Sequence, residues 1–204
     1  MIKAENTKQT ILKVGLDMAS QLGLENVTIG QLALKLNMSK SGLFAHFQSK
    51  ENLQLSILSY AGEDFKNYVL MPALATKAGI PRIKKLANNW IEWGERLTGG
   101  CIFVTASIEY SERQGKVRDL VLSLQEDWID SLQKIAQSAI KAGDFKRDID
   151  TSQFAYELYS LLLGFHYFHR MLRDKKTKTR QKKALNQLIL NYQVGKEQLS
   201  QKSI

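Results

Sequence analysis

Apolar residues recur at helical spacing along most of the chain. Ile11, Val14, Gly15, Met18, Ala19 and Leu22 mark one face of a first helix. Thr7 is its predicted N-cap, and Gly23 stands where a left-handed residue would close it. A short apolar connection through Leu24 and Val27 leads to Thr28, and Gln31 three residues later completes a reciprocal capping pair. Ile29, Leu32, Ala33 and Leu36 then form the apolar stripe of a short second helix. Asn37 tolerates the left-handed conformation that ends such a helix, and Ser39 can cap another almost at once. Two short helices therefore meet at a tight turn. In the third helix Leu43 and Phe47 lie four apart on one face, leaving Lys40, Ser41, Gly42, Phe44 and His46 around the others. Ser49 caps a fourth helix at Lys50, whose pattern continues through Leu53, Leu55, Ile57 and Leu58 towards a break or kink at Pro72.

Five further helices are predicted at 81–98, 102–113, 115–142, 151–172 and 179–194. Gly99-Gly100, Gly115, Gly143 and a basic stretch separate them. The last carries Leu185, Leu188, Ile189 and Tyr192 on one stripe, whereas 151–172 is apolar around nearly its whole circumference, as a helix covered on two sides would be. Two-sided burial predicts a dimer. The basic run 173–183 reads as a solvated loop between helices, or alternatively as a nonspecific DNA-facing segment. No repeat appears at a fixed period, and every predicted element is a helix, so the fold class is all-α.

Composition supports that class. Of 204 residues 44% are hydrophobic, enough to build a core, and 13 glycines with 2 prolines leave little material for the turns of an all-β protein. Lys and Arg number 29 against 20 Asp and Glu, a formal +9 that favours a polyanionic partner without proving one. Residues 1–53 hold only +2 of it, so any DNA contact must be local. The single cysteine, Cys101, cannot form an intrachain disulfide, and the N-terminus lacks the apolar core of a signal peptide; a cytoplasmic home is expected. The apolar stretch Leu158–His169 falls short of the roughly 18 residues a membrane span needs.

Residues 28–53, TIGQLALKLNMSKSGLFAHFQSKENL, contain the helix, turn and helix that can lay an exposed helix in a major groove. Thr28, Leu32, Ala33, Gly42, Leu43, His46, Phe47, Lys50 and Leu53 match a specific pattern, and over residues 7–55 the chain resembles the N-terminal domain of TetR-family transcriptional regulators. The resemblance implies phosphate contacts at Thr28, Lys50 and His46, and groove-facing roles for Ser39, Lys40, Ser41 and Gly42. Helix starts present unpaired N–H groups to anions, which suits Thr28 and Lys50. Gly42 lets the backbone approach the duplex, and Lys40 can reach either a guanine edge or a phosphate. Phe44 stands where the family usually has a tyrosine whose hydroxyl touches a phosphate; phenylalanine offers only apolar and stacking contact. Leu32, Ala33, Leu36, Leu43 and Phe47 read as the small core that holds these groups in place.

The rest of the chain resembles, less specifically, a C-terminal domain of the same family, through GGCIF at 99–103, Ala106, Glu109, Val117-Arg118, Trp128 and the turn 143–150. The implied organisation is a helix-turn-helix DNA-binding domain at 1–50 and a helical effector-binding and dimerisation domain at 51–204. Trp90, Trp93, Phe103, Tyr110, Trp128, Tyr156, Tyr159 and Phe165 could wall a pocket for a small-molecule effector, with Glu109 or tyrosine hydroxyls orienting it, although ordinary core packing explains each as well. Cys101 reads as a packed hydrophobe or a thiol sensor, and His166 with His169 is too small a set for a metal. No cofactor is expected. A Gly-rich phosphate loop, Ser-x-x-Lys, Gly-x-Ser-x-Gly and His-Glu-x-x-His are all missing, so no enzyme is predicted. The expected protein is a homodimeric regulator of double-stranded DNA, a repressor relieved by a ligand and acting on a near-palindromic operator. The alternative is a helical interaction module without specific DNA binding.

Overall fold

The computed structural model describes residues 2–195, with side chains from Thr7 onward. Among these described residues ten α-helices follow one another: α1 Ile2–Leu22, α2 Ile29–Leu36, α3 Lys40–Phe47, α4 Lys50–Phe65, α5 Met71–Ala75, α6 Ile80–Arg96, α7 Ile102–Tyr110, α8 Lys116–Lys141, α9 Thr151–Arg170 and α10 Thr177–Tyr192. The all-α expectation holds. One isolated bridge, between Phe145 and Gln193, is the extended pairing among the described residues.

Two compact units share the chain. The first comprises Met1–Asn67 with Glu92–Gln125, the second Tyr68–Ile91 with Glu126–Ile204. In the first, α1 packs on α2, α4 and α7, and α3 sits against α2 and α4. Ile11, Leu24, Val27, Leu32, Leu43, Phe47, Leu53 and Ile57 are buried there. Helices α2 and α3 are 8 residues each, below the roughly 12–15 at which an isolated helix becomes marginally stable, so this burial is what holds them. The second unit is centred on Ile83, Leu86, Trp90, Phe145, Phe154, Leu158, Leu162 and Leu188, with α9 against α10.

Three expectations need correction. Thr7 is not an N-cap, because α1 already begins at Ile2; residues 2–6 hold no Gly or Pro and include Lys, Ala and Glu, strong helix formers. The run 173–183 is a loop only as far as Lys176, and its remainder is the start of α10. Asp174 closes that loop: its carboxylate accepts from the Lys176 N–H at 2.9 Å, its carbonyl accepts from Thr177 Oγ1 at 2.6 Å, and Arg180 pairs with it. The break predicted at Pro72 begins earlier, as a wide π-helical turn over Lys66–Leu70. Pro72 has no backbone N–H to donate to that turn, and separately Asn89 Nδ2 donates to the Val69 carbonyl at 3.1 Å.

Candidate nucleic-acid interface

The turn between α2 and α3 is built by local chemistry. Thr28 Oγ1 accepts from the Gln31 N–H at 3.2 Å, while Gln31 Oε1 accepts from the Thr28 N–H at 3.2 Å and from its hydroxyl at 3.0 Å. That box occupies the Thr28 hydroxyl. The first-turn N–H groups of Ile29 and Gly30, which no intrahelical carbonyl can satisfy, are the polar atoms left for an anion, and a Cβ at Gly30 would meet nothing within 4 Å. Asn37 closes α2 in the left-handed region at φ 52°, its N–H turned to the Ala33 and Leu34 carbonyls.

Ser39 opens α3 by accepting from the Gly42 N–H at 3.1 Å. A Cβ at Gly42 would lie 2.9 Å from that same Ser39 oxygen, so the glycine also keeps the cap clear. Leu43 and Phe47 are buried, and Lys40, Ser41, Phe44 and His46 are exposed on the remaining faces. Phe44 is 52% exposed, a large apolar ring held in solvent. Gln48 ends the helix at φ 63°, an unusual residue for that conformation, and donates its N–H to the Phe44 carbonyl at 2.7 Å. Nothing in the sequence signals it.

Charge reinforces the shape. From residue 26 to residue 50 there is no carboxylate, while Lys35, Lys40 and Lys50 are present with His46. This gap in acidic residues is a signal the periodicity does not contain. Lys50 is not turned freely outward: its Nζ lies 2.6 Å from Glu25 Oε1. Ser49 caps α4 beside it, accepting from the Asn52 N–H at 3.0 Å.

Contacts distant in sequence fasten this region to α7 and the loop before it. Asp17 accepts from the Thr98 N–H at 2.8 Å, and Ser20 Oγ from the Gly99 N–H at 2.9 Å. Gly99 is required, since a Cβ there would fall 1.7 Å from the Ser20 carbonyl oxygen. Glu109 Oε2 accepts from the Leu24 N–H at 2.8 Å and lies against Gly23, itself left-handed at φ 86°. Tyr110 donates its hydroxyl to Glu25 at 3.0 Å, and Arg113 pairs with the same carboxylate at 3.0 Å. Lys50 first, then Tyr110 and Gln54, hold the Glu25 carboxyl below its ordinary range against the opposing effect of burial. Glu25, Asp17 and Arg113 escape sequence reasoning because their partners lie tens of residues away.

The predicted effector-binding residues divide between the units. Trp93, Phe103, Glu109 and Tyr110 belong to the first, where Trp93 stacks on Phe103 with centroids 5.6 Å apart, Phe65 meets both edge-on, and Trp93 Nε1 donates to Asp64 at 2.6 Å. Trp90, Trp128, Tyr156 and Tyr159 belong to the second. There Trp128 meets Tyr159 edge-on at 6.3 Å, and Tyr156 points outward, 70% exposed. Cys101 is buried, and burial pushes its thiol up to about 12, so it stays protonated at neutral pH and the sensor reading loses support. His169 stacks on Phe165 at 5.1 Å. Burial lowers the basicity of His166, aided by Arg170 and His169. Among the described residues no group of three potential metal ligands is found, and no helix is long and apolar enough to cross a membrane.

Comparison with known proteins agrees with this geometry. Residues 11–57 match the family model for bacterial regulatory proteins of the tetR family, and residues 79–185 match that for the tetracyclin repressor-like C-terminal domain. The HTH-type transcriptional repressor DhaR of Mycobacterium sp. (strain GP1) is 23% identical over 143 residues, 70% of this chain and 71% of that protein. A TetR transcriptional regulator from Chloroflexus aurantiacus superimposes with a TM-score of 0.81 at 21% identity, covering 93% of this chain and 96% of that one. AibR, solved with isovaleryl coenzyme A and operator DNA, superimposes at 0.66 and 19% identity over 89% of this chain and 95% of its own. These relatives are regulators, not enzymes.

Proposed function

We propose that this chain, which belongs to the tetR family of bacterial regulatory proteins, is a repressor that grips a near-palindromic operator as a homodimer and releases it when a small molecule binds. At the coarser level it is a DNA-binding transcriptional regulator. The observation that carries the finer reading is the outer face of α3. Lys40, Ser41, Phe44 and His46 are exposed there, opposite the buried Leu43 and Phe47, on a segment without any carboxylate. Such a helix can enter a major groove, with Lys40, Ser41 and the close-approaching Gly42 at base edges. The starts of α2, just after Thr28, and of α4, at Lys50, face the flanking phosphates. Phe44 supplies apolar contact, to a thymine methyl or a sugar, in place of a hydroxyl on phosphate. Residues 1–50 act as the reading domain and 51–204 as the sensing and dimerising part.

Helix α9 supports the dimer. Tyr156, Leu163 and Tyr167 are exposed along it and Met171 just beyond its end, an apolar face of the kind that marks a protein contact. Beside it a cleft of about 180 Å³ opens between α9 and α10, among Ser160, Gly164, Phe168, Thr177 and Gln181. Gln181 Nε2 is buried there without a hydrogen-bond partner among the described residues, a state that costs free energy unless something supplies an acceptor. A second copy laid across α9 would cover its exposed apolar face. Two α3 helices related by its two-fold axis would then meet half-sites about one helical turn or a multiple apart.

Sensing requires an effector that binds the operator-free state more tightly than the bound one. AibR was crystallised with both isovaleryl coenzyme A and operator DNA, so binding of a small ligand and of a DNA site each has a precedent on this fold. Trp128 and Tyr159, with Trp90, are the aromatic wall proposed for it in the second unit.

The decisive experiment is a mobility-shift titration against the gene's own upstream region and a shuffled control, with the mass of the complex measured. One sequence-dependent complex holding two chains is expected. Equal affinity for both DNAs at every salt would leave a helical interaction module instead.

A further inference from the structure

We infer that Arg113 and Lys50 compete for the carboxylate of Glu25, and that this competition sets how readily Lys50 reaches a DNA phosphate; the inference rests on the reading of residues 28–50 as a DNA-binding surface. Glu25 lies in the turn between α1 and α2, and its two oxygens serve different partners. Oε1 accepts from Lys50 Nζ at 2.6 Å. Oε2 accepts from the Tyr110 hydroxyl at 3.0 Å and Gln54 Nε2 at 3.3 Å, and pairs with Arg113 Nη1 at 3.0 Å. One negative charge is thus shared by two cations.

The neutral donors are fixed and the cations are not. Gln54 and Tyr110 are both buried, and Gln54 is further tied to the Leu24 carbonyl at 3.1 Å. Lys50 and Arg113 have side chains 41% and 48% exposed, so water can replace either in its contact. Arg113 is steadied by the Tyr110 ring, its guanidinium carbon 5.2 Å from the ring centroid. Lys50 is a compact charge on a flexible stem at the first residue of α4, just after α3 ends. It is the cation able to swing to a neighbouring phosphate.

What that swing leaves behind decides its cost. With Arg113 in place, Glu25 keeps one cation and two neutral donors after Lys50 departs, so its charge stays compensated. Without Arg113, Lys50 is the only cation the carboxylate has here. Its departure would then strand a negative charge close to the polyanion, where like charges repel. Arg113 therefore frees Lys50 for DNA without touching DNA itself. It sits in the turn that follows Tyr110, the last residue of α7, so a shift of that turn is transmitted to the DNA surface through one carboxylate.

The test is an operator titration across salt with the full chain and four single variants, Arg113→Gln, Arg113→Lys, Glu25→Gln and Lys50→Met, plus Arg113→Gln paired with each of the last two. Lys50→Met should weaken binding and reduce the salt slope by about one, the loss of one phosphate contact, so that raising salt from about 50 to about 200 mM costs it about threefold less affinity than it costs the wild type. Arg113→Gln should move both quantities in the same direction, Arg113→Lys should leave them near wild type, Arg113→Gln should have no further effect beside Glu25→Gln, and beside Lys50→Met it should weaken binding further, because the Glu25 charge then has no cation beside the DNA. An Arg113→Gln loss that persists beside Glu25→Gln would mean that Arg113 meets DNA directly, and it would overturn the inference, as would wild-type binding by Arg113→Gln. A second arm needs no DNA. The rate at which N-hydroxysuccinimide acetate modifies Lys50, read by mass spectrometry, should fall in Arg113→Gln and rise in Glu25→Gln. Unchanged rates would overturn the competition, whereas a wild-type chain without operator preference would overturn the DNA-binding reading and leave this arm to decide the competition alone.

Discussion

Helices α3 and α9 each bury one face, and they differ in what remains outside. On α3 the core takes Leu43 and Phe47, and the outer face is small, polar and cationic apart from the ring of Phe44. On α9 the core takes Phe154, Ala155, Leu158, Leu162 and Phe165, and the outer face still carries Tyr156, Leu163 and Tyr167, with Met171 at the cap beyond them. Solvent satisfies the first arrangement, which is free to exchange water and counterions for a phosphate backbone. The second leaves apolar area in water, whose removal is favourable on contact with protein. Once the core is accounted for, the character of the leftover face tells which kind of partner each helix suits.

The largest expected effect follows from breaking the α9 face. Leu163→Lys with Tyr167→Glu should give a monomer by sedimentation and weaken operator binding by about 100-fold or more, because the second half-site no longer adds to the first. A variant that stays dimeric and binds normally would make α9's outer face ordinary solvent surface. Next is the contrast across α3. Leu43→Ala should cost about 2–5 kcal/mol in denaturant unfolding, whereas Phe44→Ala should change stability by no more than about 0.5 kcal/mol while weakening DNA binding. Equal stability losses would mean that Phe44 belongs to a core rather than to a reading face. Smaller again is Ser39→Ala, which removes the acceptor for the Gly42 N–H and should cost about 1 kcal/mol.

The smallest effect concerns acid. Glu25 is held below its ordinary value of 4.5 when folded, so its contribution is complete above that value and is lost as pH falls through the lower folded one. Glu25→Gln should therefore lower the melting temperature slightly at pH 7 and reduce its decline on acidification below about pH 4.5. An unaltered acid profile would show that the carboxylate is not the group that titrates there.

How much could be read in advance follows the range of the interactions. Thr28, Asn37, Ser39 and Ser49 were legible as caps, and Gly23 as a left-handed stop, because each acts on a backbone group within a few residues. The same locality exposed the apolar stripes and, with the resemblance at residues 28–53, the candidate DNA surface. Thr7 misled because a favourable cap does not end a helix whose preceding residues also favour one. Glu109 was read as a carboxylate that could orient an effector, with nothing to mark it as the acceptor for the Leu24 N–H, and Lys50 was read as a phosphate contact, with nothing to mark it as the partner of Glu25.

By itself, then, the order of residues determined the helices, most of their ends and the side of α3 that faces outward, since these depend on spacing along one segment. Only the tertiary structure decided that one carboxylate collects donors from α4, α7 and the turn beyond, that Gly99 lies against the backbone of Ser20, and that α9 keeps an uncovered apolar face. Those outcomes depend on where distant segments come to rest, and a charged or apolar residue carries no local mark of which distant group it will meet.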